Sequence, residues 1–303
     1  MPIDAVTVRV PAKVNLQLSV GPRRADGFHE LATVFHAVAL HDDVTATVRP
    51  AGSGIALTCK GESANQVPLD DTNLAWRAVR LLADSAGVAP DVDVRIDKHI
   101  PVAGGMAGGS ADAAAALVAC DALWQLGTPK DVLHGLAATL GSDVPFALHG
   151  GTAIGSGRGE QLTSVLARGS FHWVFALANQ GLSTAAVYAE CDRLRDDRQI
   201  PDPYVSDMLM QALRAGDPVL LGKSLHNDLQ QAAFSLRPGL KRVIEAGEEC
   251  GALGGIVSGS GPTCAFVARD AVHALDIAVS LTSTGLVRSV KRSSGPALGA
   301  RVI

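Results

Sequence analysis

The chain has 303 residues, of which 47% are hydrophobic and 18% are charged. This is enough apolar side chain for two packed units of roughly 100–200 residues each, and it excludes an intrinsically disordered chain. A formal net charge of −4 argues against a general nucleic-acid binder, which needs a basic face. No apolar run approaches the ~20 residues of a membrane span. We therefore expect neither a nucleic-acid partner nor a membrane partner.

The first residues of the chain and the distribution of its cysteines indicate the cellular compartment of the protein. VTVRV at residues 6–10 has the alternation of a strand, without the charged and apolar regions of a signal peptide. The five cysteines are widely scattered and form no C-x-x-C pair: Cys59, Cys120, Cys191, Cys250 and Cys264. This pattern favours reduced thiols over a disulfide framework or a zinc site. The sequence predicts a cytoplasmic protein.

Hydrophobic periodicity predicts strands and helices in mixed order. Alternation with period two predicts four strands in the first part of the chain, at residues 6–10, 44–48, 55–59 and 92–96. Helical spacing predicts three helices there, at residues 73–86, 111–119 and 130–140. Because strands and helices do not alternate regularly, we expect an α+β fold and not a doubly wound sheet.

A glycine- and serine-rich stretch, GGTAIGSGRGE at residues 150–160, separates this region from the rest. After it we expect a strand at residues 172–178 and then helices, which IPDPY interrupts at residues 200–204. A strand–turn–strand segment at 256–268, a helix at 271–280 and a last strand at 287–291 follow. We place a domain boundary near residue 155, which divides the chain into units 1–155 and 156–303.

The segment PVAGGMAGGSADAA at residues 101–114 is the strongest indication of a binding site. Glycines that open a helix let backbone N–H groups approach an anion, and the first helical turn adds its partial positive charge. Polyphosphate suits such a loop. The segment lacks the Gly-Lys-[Ser/Thr] ending of a Walker A loop and the acidic partner of a dinucleotide fingerprint. The alternative is a tight turn before a well-packed alanine helix.

Three further segments carry candidate chemistry. Lys13 and Asn15 are two residues apart in a strand-like segment, so they share a face and either line a cleft or form the solvated face of an edge strand. Phe28 and His29 follow an Asp-Gly turn and form either a base-binding pair or a solvated loop. Asp143 lies directly before the apolar segment Val-Pro-Phe, where a carboxylate needs a partner. It is either the partner of Lys13 or a cap at the start of a helix.

Taken together, these segments resemble the GHMP kinases. That family has the nucleotide loop Pro-x-x-x-Gly-Leu-Gly-Ser-Ser-Ala-Ala, and here Pro101 is followed by GMAGGSADAA at residues 105–114. The branch of the family that acts on a CDP-linked methylerythritol has seven short motifs. All seven occur here in order: PAKVN at 11–15, RADGFH at 24–29, GGMAGGS at 104–110, GSDVPF at 141–146, GRGE at 157–160, NDL at 227–229 and GSGPT at 259–263.

Two positions depart from the branch pattern. The usual Gly-Leu-Gly of the loop reads Gly105-Met106-Ala107 here, and the aromatic before His29 is Phe28 where tyrosine is common. Methionine is close to leucine in volume and should be tolerated. If position 107 requires a positive φ, the Cβ of Ala107 costs about 1 kcal/mol or more.

The resemblance implies a two-domain GHMP kinase fold with the active site between the domains, and ATP and Mg²⁺ as cofactors. It implies a nucleotide site with two outlying adenosine contacts, Asn73 and Lys98, and a loop made of Val102, Ala103, Gly104, Gly105, Met106, Ala107, Gly108, Gly109, Ser110, Ala111 and Asp112. Ser110 would also contact the metal. The oligomeric state, monomer or homodimer, is left open.

The resemblance also implies the roles of the remaining candidates. Asp143 would be the general base on the acceptor hydroxyl, and Lys13 would stabilise the developing charge. Asn15 would contact the polar tail of the substrate. The cytosine would be hydrogen-bonded by His29 and stacked between Phe28 and Tyr188. Two alternatives remain open: another small-alcohol kinase of the homoserine or mevalonate type, and a nucleotide-binding relative without catalysis.

Overall fold

The computed structural model describes residues 4–102, 104–178, 181–196 and 199–303. Within them the helices are α1 Leu74–Ala86, α2 Gly108–Leu123, α3 Lys130–Leu140, α4 Val144–His149, α5 Thr184–Arg195, α6 Asp207–Ala215, α7 Pro218–Ser224, α8 Gln230–Leu236, α9 Gly239–Glu249 and α10 Ala271–Ser283. The strands are β1 Ala5–Arg23, β2 His29–Val48, β3 Ile55–Gly61, β4 Val92–Lys98, β5 Thr152–Ser156, β6 Gln161–Ser164, β7 Phe171–Leu177, β8 His226–Asn227, β9 Gly254–Val257, β10 Cys264–Ala268, β11 Ser289–Gly295 and β12 Arg301–Val302.

The larger sheet carries the long β1–β2 pair. Its strand order is β12-β1-β2-β4-β3, with the β5–β6 hairpin attached to β2 and β8 attached to β1. β1 and β2 are antiparallel, whereas β3 pairs in parallel with β4 and β8 pairs in parallel with β1. Every strand and helix predicted from the periodicity is present, but β1 and β2 are much longer than the predicted segments 6–10 and 44–48. The α+β prediction is confirmed.

A second sheet, in the order β11-β7-β10-β9, forms the centre of the C-terminal part. The division predicted at residue 155 falls inside β5, and the β5–β6 hairpin extends the first sheet to Ser164. Two short segments from the C-terminal part, β8 and β12, also return to β1. The chain therefore passes between the two sheets more than once, and the boundary near residue 155 stays a prediction.

Helix α2 passes through the main core. Its sequence GGSADAAAALVACDAL is rich in alanine, and most of its residues are buried. It packs against α1, α4, β1 and β2. Small side chains on all sides let these neighbours approach closely, which is why this helix lacks the amphipathic pattern of a surface helix. The core therefore fixes the position of the N-terminus of α2, where the glycine-rich segment lies.

None of the helices in the described part of the chain combines the length and the apolar character that crossing a membrane requires.

His36, in the core between the two sheets, should make stability depend on pH. Its Nδ1 is 2.8 Å from the Thr152 hydroxyl, its Nε2 is buried without a partner, and burial lowers its pKa to about 4. Histidine in an unfolded chain has a pKa near 6.5. Because the folded-state pKa is the lower one, the stability from a neutral His36 is present above about pH 6.5 and is lost as the pH falls toward 4.

We expect this site to remove about 2 kcal/mol of unfolding free energy between pH 7.5 and pH 5. Urea unfolding at both pH values measures it. His36→Asn keeps a polar atom near Thr152 and removes the titration, so its pH dependence should be flatter. His172→Asn, at a half-buried position on β7, is the control and should retain the wild-type slope. Equal slopes in wild type and His36→Asn would contradict the prediction.

Candidate active site

A cleft of about 880 Å³ brings together the segments singled out from the sequence. Its lining comes from the N-terminal strands, the loop before β2, the glycine-rich segment, α5 and the turn before β10. Most of the predicted site residues lie in this lining: Lys13, Asn15, Phe28, His29, Gly104, Gly105, Ala107, Gly108, Gly109, Ser110, Asp143 and Tyr188. These positions span most of the sequence, and the fold places them in one cavity.

Lys13 and Asp143 meet in this cleft, although they are 130 positions apart in the sequence. Lys13 Nζ lies 3.5 Å from Asp143 Oδ2. The lysine side chain is 7% exposed and the aspartate side chain is 31% exposed, so the pair has one buried member and one that faces the cavity. The solvated-face alternative for Lys13 does not hold, because its side chain is almost fully buried and its ammonium contacts Asp143 inside the cleft.

Several contacts hold the Lys13 ammonium in place. Nζ donates a hydrogen bond to Asn15 Oδ1 at 2.6 Å and lies 5.6 Å from the centre of the Phe35 ring. Asn15 Nδ2 in turn donates to the Thr33 hydroxyl at 2.8 Å. Asn15 lines the cleft as predicted, but both ends of its amide already have protein partners. Its contact with a substrate stays a prediction, while its contact with Lys13 is part of the structure.

Asp143 occupies the N-cap position of the short helix α4, yet its side chain makes no capping hydrogen bond. The helix starts at Val144 and has Pro145 in its first turn, where proline's missing N–H does no harm. The helix-cap alternative for Asp143 is therefore only half right: the position is a cap, whereas the carboxylate is directed to Lys13. A carboxylate not needed by the helix is available for chemistry.

The glycine-rich segment makes close backbone contacts that exclude larger residues. Gly105 has φ +72°, and a Cβ there would lie 2.3 Å from the Ser258 carbonyl oxygen. Ala107 at the start of α2 has φ 60° and ψ 32°, the left-handed conformation in which a Cβ is strained. The positive φ considered for Ala107 is thus present. The N–H groups at the start of α2 have no partner within the helix, as an anion site requires.

The turn SGSGPT at residues 258–263 lies between the glycine-rich segment and Lys13. The Ser258 hydroxyl donates to the Gly105 carbonyl at 3.0 Å, and a Cβ on Gly259 would lie 3.3 Å from Lys13 Nζ. Asn227 Nδ2 supports this turn by donating to the carbonyls of Val257 and Gly259, each at 2.8 Å. The Asn-Asp-Leu motif therefore acts on the site through the turn that it holds.

Other residues of the predicted nucleotide loop do not line the cleft. Met106, Ala111 and Asp112 are buried beneath the loop, and Val102 lies outside the lining. Ala103 lies outside the described residues. The side chains of Met106, Ala111 and Asp112 therefore support the loop from below. Only the main-chain atoms of these three residues can contact a ligand without rearrangement.

Lys98 and Asn73, predicted near the adenosine, have side chains committed elsewhere. Lys98 Nζ is buried between Asp42 and Asp112, at 2.5 Å and 2.7 Å. Asn73 caps α1, with Oδ1 accepting from Ala75 N at 2.8 Å and Nδ2 donating to the Pro68 carbonyl at 2.7 Å. Neither residue lines the cleft. Their assignment to the nucleotide stays a prediction, and these side-chain contacts do not support it.

At the other end of the cleft, helix α5 packs against His29. The Tyr188 ring lies 5.2 Å from the His29 ring, centre to centre, with an angle of 30° between the planes. Burial raises the pKa of the Tyr188 hydroxyl, which keeps it protonated. His29 is itself buried, and its Nε2 lies 2.8 Å from Asp192 Oδ1. The loop histidine is therefore held in place and is not freely solvated.

Phe28 is 51% exposed and stands at the rim of the cleft. The Arg158 guanidinium lies over its ring, with Cζ 5.1 Å from the ring centre. The 24–29 loop is also joined to the Gly-Arg-Gly-Glu motif by Glu30 Oε1, which accepts from Gly157 N at 3.1 Å. The stacking of a base between Phe28 and Tyr188 stays a prediction.

Sequence reasoning missed three charged residues of this lining, Arg23, Arg158 and Asp192. Arg158 lies in the Gly-Arg-Gly-Glu motif, which was noticed but given no role, so the signal was present. Asp192 follows Tyr188 by four residues and therefore shares its helix face. That spacing was the only signal for Asp192, and it has no meaning until Tyr188 is known to face the site.

The donors in the cleft fit a magnesium ion that is carried by a nucleotide. The described residues contain no group of three or more His, Cys, Asp or Glu side chains arranged to hold a metal ion. Ser110 and Asp143 offer two oxygens in the lining. Mg²⁺ commonly binds through one or two protein oxygens plus phosphate oxygens and water, so an all-protein cage is not needed.

Comparison with known proteins gives the family. The model of the GHMP kinases N terminal domain matches residues 73–151, and that of the GHMP kinases C terminal domain matches residues 209–285. The 4-diphosphocytidyl-2-C-methyl-D-erythritol kinase of Mycolicibacterium gilvum (strain PYR-GCK) is 58% identical over 306 residues, covering 100% of this chain and 94% of that protein.

Two solved structures are similar along nearly the whole chain. A crystal structure of 4-(cytidine 5'-diphospho)-2C-methyl-D-erythritol kinase matches with a TM-score of 0.75 and 33% identity, over 95% of this chain and 98% of that one. The L. major mevalonate kinase in complex with R-mevalonate matches with a TM-score of 0.77 but 14% identity, over 96% of each chain, a likeness of fold alone. The chain belongs to the GHMP kinase family, in the branch of the 4-diphosphocytidyl-2-C-methyl-D-erythritol kinases.

Proposed function

We propose that this protein transfers the terminal phosphoryl group of ATP to a hydroxyl of 4-diphosphocytidyl-2-C-methyl-D-erythritol, in the non-mevalonate route to isoprenoid precursors. The observation that carries the proposal is the Lys13–Asp143 pair, 3.5 Å apart, in the cleft that the glycine-rich segment also lines. The high identity to relatives of this activity along the whole chain supports the choice of acceptor. Cytoplasmic location remains part of the proposal.

The residues of the cleft divide into a phosphate end and a base end. The main-chain N–H groups from Gly104 to Ser110 bind the ATP phosphates at the N-terminus of α2. The Ser110 hydroxyl and the Asp143 carboxylate are the protein oxygens available to Mg²⁺, which neutralises phosphate charge when it is bound. His29 and Tyr188 hold the pyrimidine at the opposite end, so the acceptor spans the cleft between them.

Asp143 is the general base that accepts the proton of the acceptor hydroxyl. The acceptor hydroxyl donates a hydrogen bond to its carboxylate, which takes the proton as the oxygen attacks the terminal phosphorus. The Lys13 ammonium beside it stabilises the charge that develops on the transferred group. Asn15 and Phe35 fix that ammonium, so it is positioned before substrate arrives.

Two other functions fit this chain less well. A homoserine or mevalonate kinase shares the fold, but the solved examples of those activities are 14–19% identical to this chain, which is evidence about architecture only. A nucleotide-binding relative without catalysis has no need of the Lys13–Asp143 pair, which this chain retains in contact.

An ADP-release assay separates the three functions. Purified protein is given Mg-ATP with the CDP-linked alcohol, with homoserine or with mevalonate, and the Asp143→Asn variant supplies the background. We expect acceptor-dependent ADP only with the CDP-linked alcohol. ADP with either of the other acceptors would identify a different kinase, and binding of the CDP-linked alcohol without turnover would identify a non-catalytic relative.

A further inference from the structure

Helix α5 contacts His29 with two side chains one helical turn apart. Tyr188 packs against the imidazole ring at 5.2 Å, and Asp192 Oδ1 lies 2.8 Å from its Nε2. Residues four apart on a helix share a face, so a single rigid element places both groups. Asp192 also lines the cleft, and its side chain is 35% exposed.

The contact with Asp192 selects one form of the His29 ring. An ionised carboxylate only accepts hydrogen bonds, so Nε2 must be the nitrogen that carries the proton. In the neutral ring, Nδ1 is then an acceptor. Nδ1 makes no hydrogen bond with the described part of the chain. It is also not one of the buried polar atoms that lack a hydrogen-bond partner there. His29 itself lines the cleft, and this acceptor atom has no hydrogen-bond partner among the described residues.

We propose that Asp192 is a positioning residue that sets the base specificity of the enzyme. By fixing the Nε2–H form, it leaves His29 Nδ1 to accept a hydrogen bond from an exocyclic amino group. Cytosine offers such a donor at the edge where uracil offers a carbonyl oxygen, and two acceptors facing each other repel. The site thus selects the cytidine-linked acceptor against its uridine-linked analogue. This inference rests on the proposed function, in that it takes the acceptor to be a nucleotide-linked alcohol.

The ring form can be measured in the free protein, independently of any activity. In full-length protein labelled with ¹⁵N at histidine, the shifts of the two ring nitrogens report which one is protonated, and the His29→Gln variant identifies the His29 signals. At pH 8 we expect an Nε2–H ring in wild type and a mixture of forms in Asp192→Ala. An Nδ1–H ring or a doubly protonated ring in wild type would overturn the proposal.

Specificity is measured as the ratio of kcat/KM for the CDP-linked acceptor to kcat/KM for the UDP-linked acceptor. In Asp192→Ala this ratio should fall about tenfold, the loss of one well-aligned hydrogen bond, because the freed ring can also present an N–H to uracil. Asp192→Glu keeps the carboxylate and should recover part of the ratio. The control is Arg193→Ala, on the same helix but 66% exposed and paired with Glu190, which should leave the ratio unchanged.

The outcomes distinguish this inference from the proposed function. If Asp192→Ala lowers kcat/KM equally for both acceptors, Asp192 only supports the fold and the inference is overturned. If wild type phosphorylates neither acceptor, the proposed function fails, and the ring-nitrogen measurement still decides the role of Asp192.

Discussion

Asp143→Asn should lower kcat at least about a hundredfold and leave the folded structure unchanged. Removal of a positioned general base typically lowers the rate by 10²–10⁴-fold. The fold should tolerate the change because the Asp143 side chain makes no cap hydrogen bond to α4 and is 31% exposed. The measurement is steady-state kinetics with saturating Mg-ATP and the CDP-linked alcohol, with circular dichroism and thermal unfolding as structural checks.

Lys13→Met, which keeps the length of a largely buried side chain, should reduce kcat by a similar factor. The two substitutions remove parts of one unit, so the double variant should be far less impaired than the product of the single effects. Asp131→Asn, in the exposed first turn of α3, is the matched control and should retain wild-type turnover. Near-normal kcat in purified Asp143→Asn would remove Asp143 from the mechanism.

The elements that the sequence predicted well are those with long periodic patterns. Strands β1 to β4 alternate over several residues, and α3 begins and ends at the residues predicted from its helical spacing. The Lys13–Asp143 contact was also predicted, since a lysine and an aspartate in apolar surroundings each need a partner. The composition of two short segments thus predicted a contact between residues that are far apart in the sequence.

What could not be predicted depends on three-dimensional neighbours with no local signature. Strands β8 and β12 are two residues long, too short for any periodicity, yet they attach the C-terminal part to β1. His36 looks like any other histidine in a strand until the second sheet covers it. Lys98 matched a family position, but its partner Asp42 lies 56 positions away on another strand.

The Lys98 cluster lies directly beneath the nucleotide loop. A Cβ built on Gly108 would lie 3.0 Å from Lys98 Nζ, so the ammonium supports the backbone at the start of α2. Asp42 accepts from Lys98 at 2.5 Å and from the backbone N–H groups of His99 and Ile100 at 2.6 Å and 2.8 Å. Asp112 accepts from Lys98 through Oδ2 at 2.7 Å, while its Oδ1 is buried without a partner.

This geometry makes the two carboxylates unequal. Burial raises the pKa of Asp112 to about 8, even though the Lys98 ammonium acts in the opposite direction. Burial alone would lower the pKa of Lys98, but the two carboxylates outweigh it and raise that pKa. The cluster therefore holds the Lys98 ammonium between Asp42, which has donors on both oxygens, and Asp112, whose burial favours its protonated form.

Chemically identical substitutions at the two aspartates should for this reason differ in effect. Asp42→Asn replaces a carboxylate with a group that cannot accept from all three donors and leaves Lys98 poorly compensated, so it should lower the unfolding free energy by about 3 kcal/mol or more. It should also raise the KM for ATP, because the backbone at Gly108 loses its support. Asp112→Asn replaces a carboxyl group whose burial favours the neutral form with a neutral group of the same shape, and it should lower the unfolding free energy by less than about 1 kcal/mol.

Urea unfolding at pH 7 compares the two variants with wild type, and Lys98→Met completes the set with an expected loss of about 3–5 kcal/mol, since it leaves the Asp42 charge buried without its counter-ion. Equal losses for Asp42→Asn and Asp112→Asn would mean that both carboxylates are ionised. In that case the phosphate loop would rest on a net negative charge, which opposes the binding of ATP phosphates at the start of α2. Protonation of Asp112, which its burial favours, would remove this conflict by leaving the cluster without net charge at the end of the helix where an anion must bind.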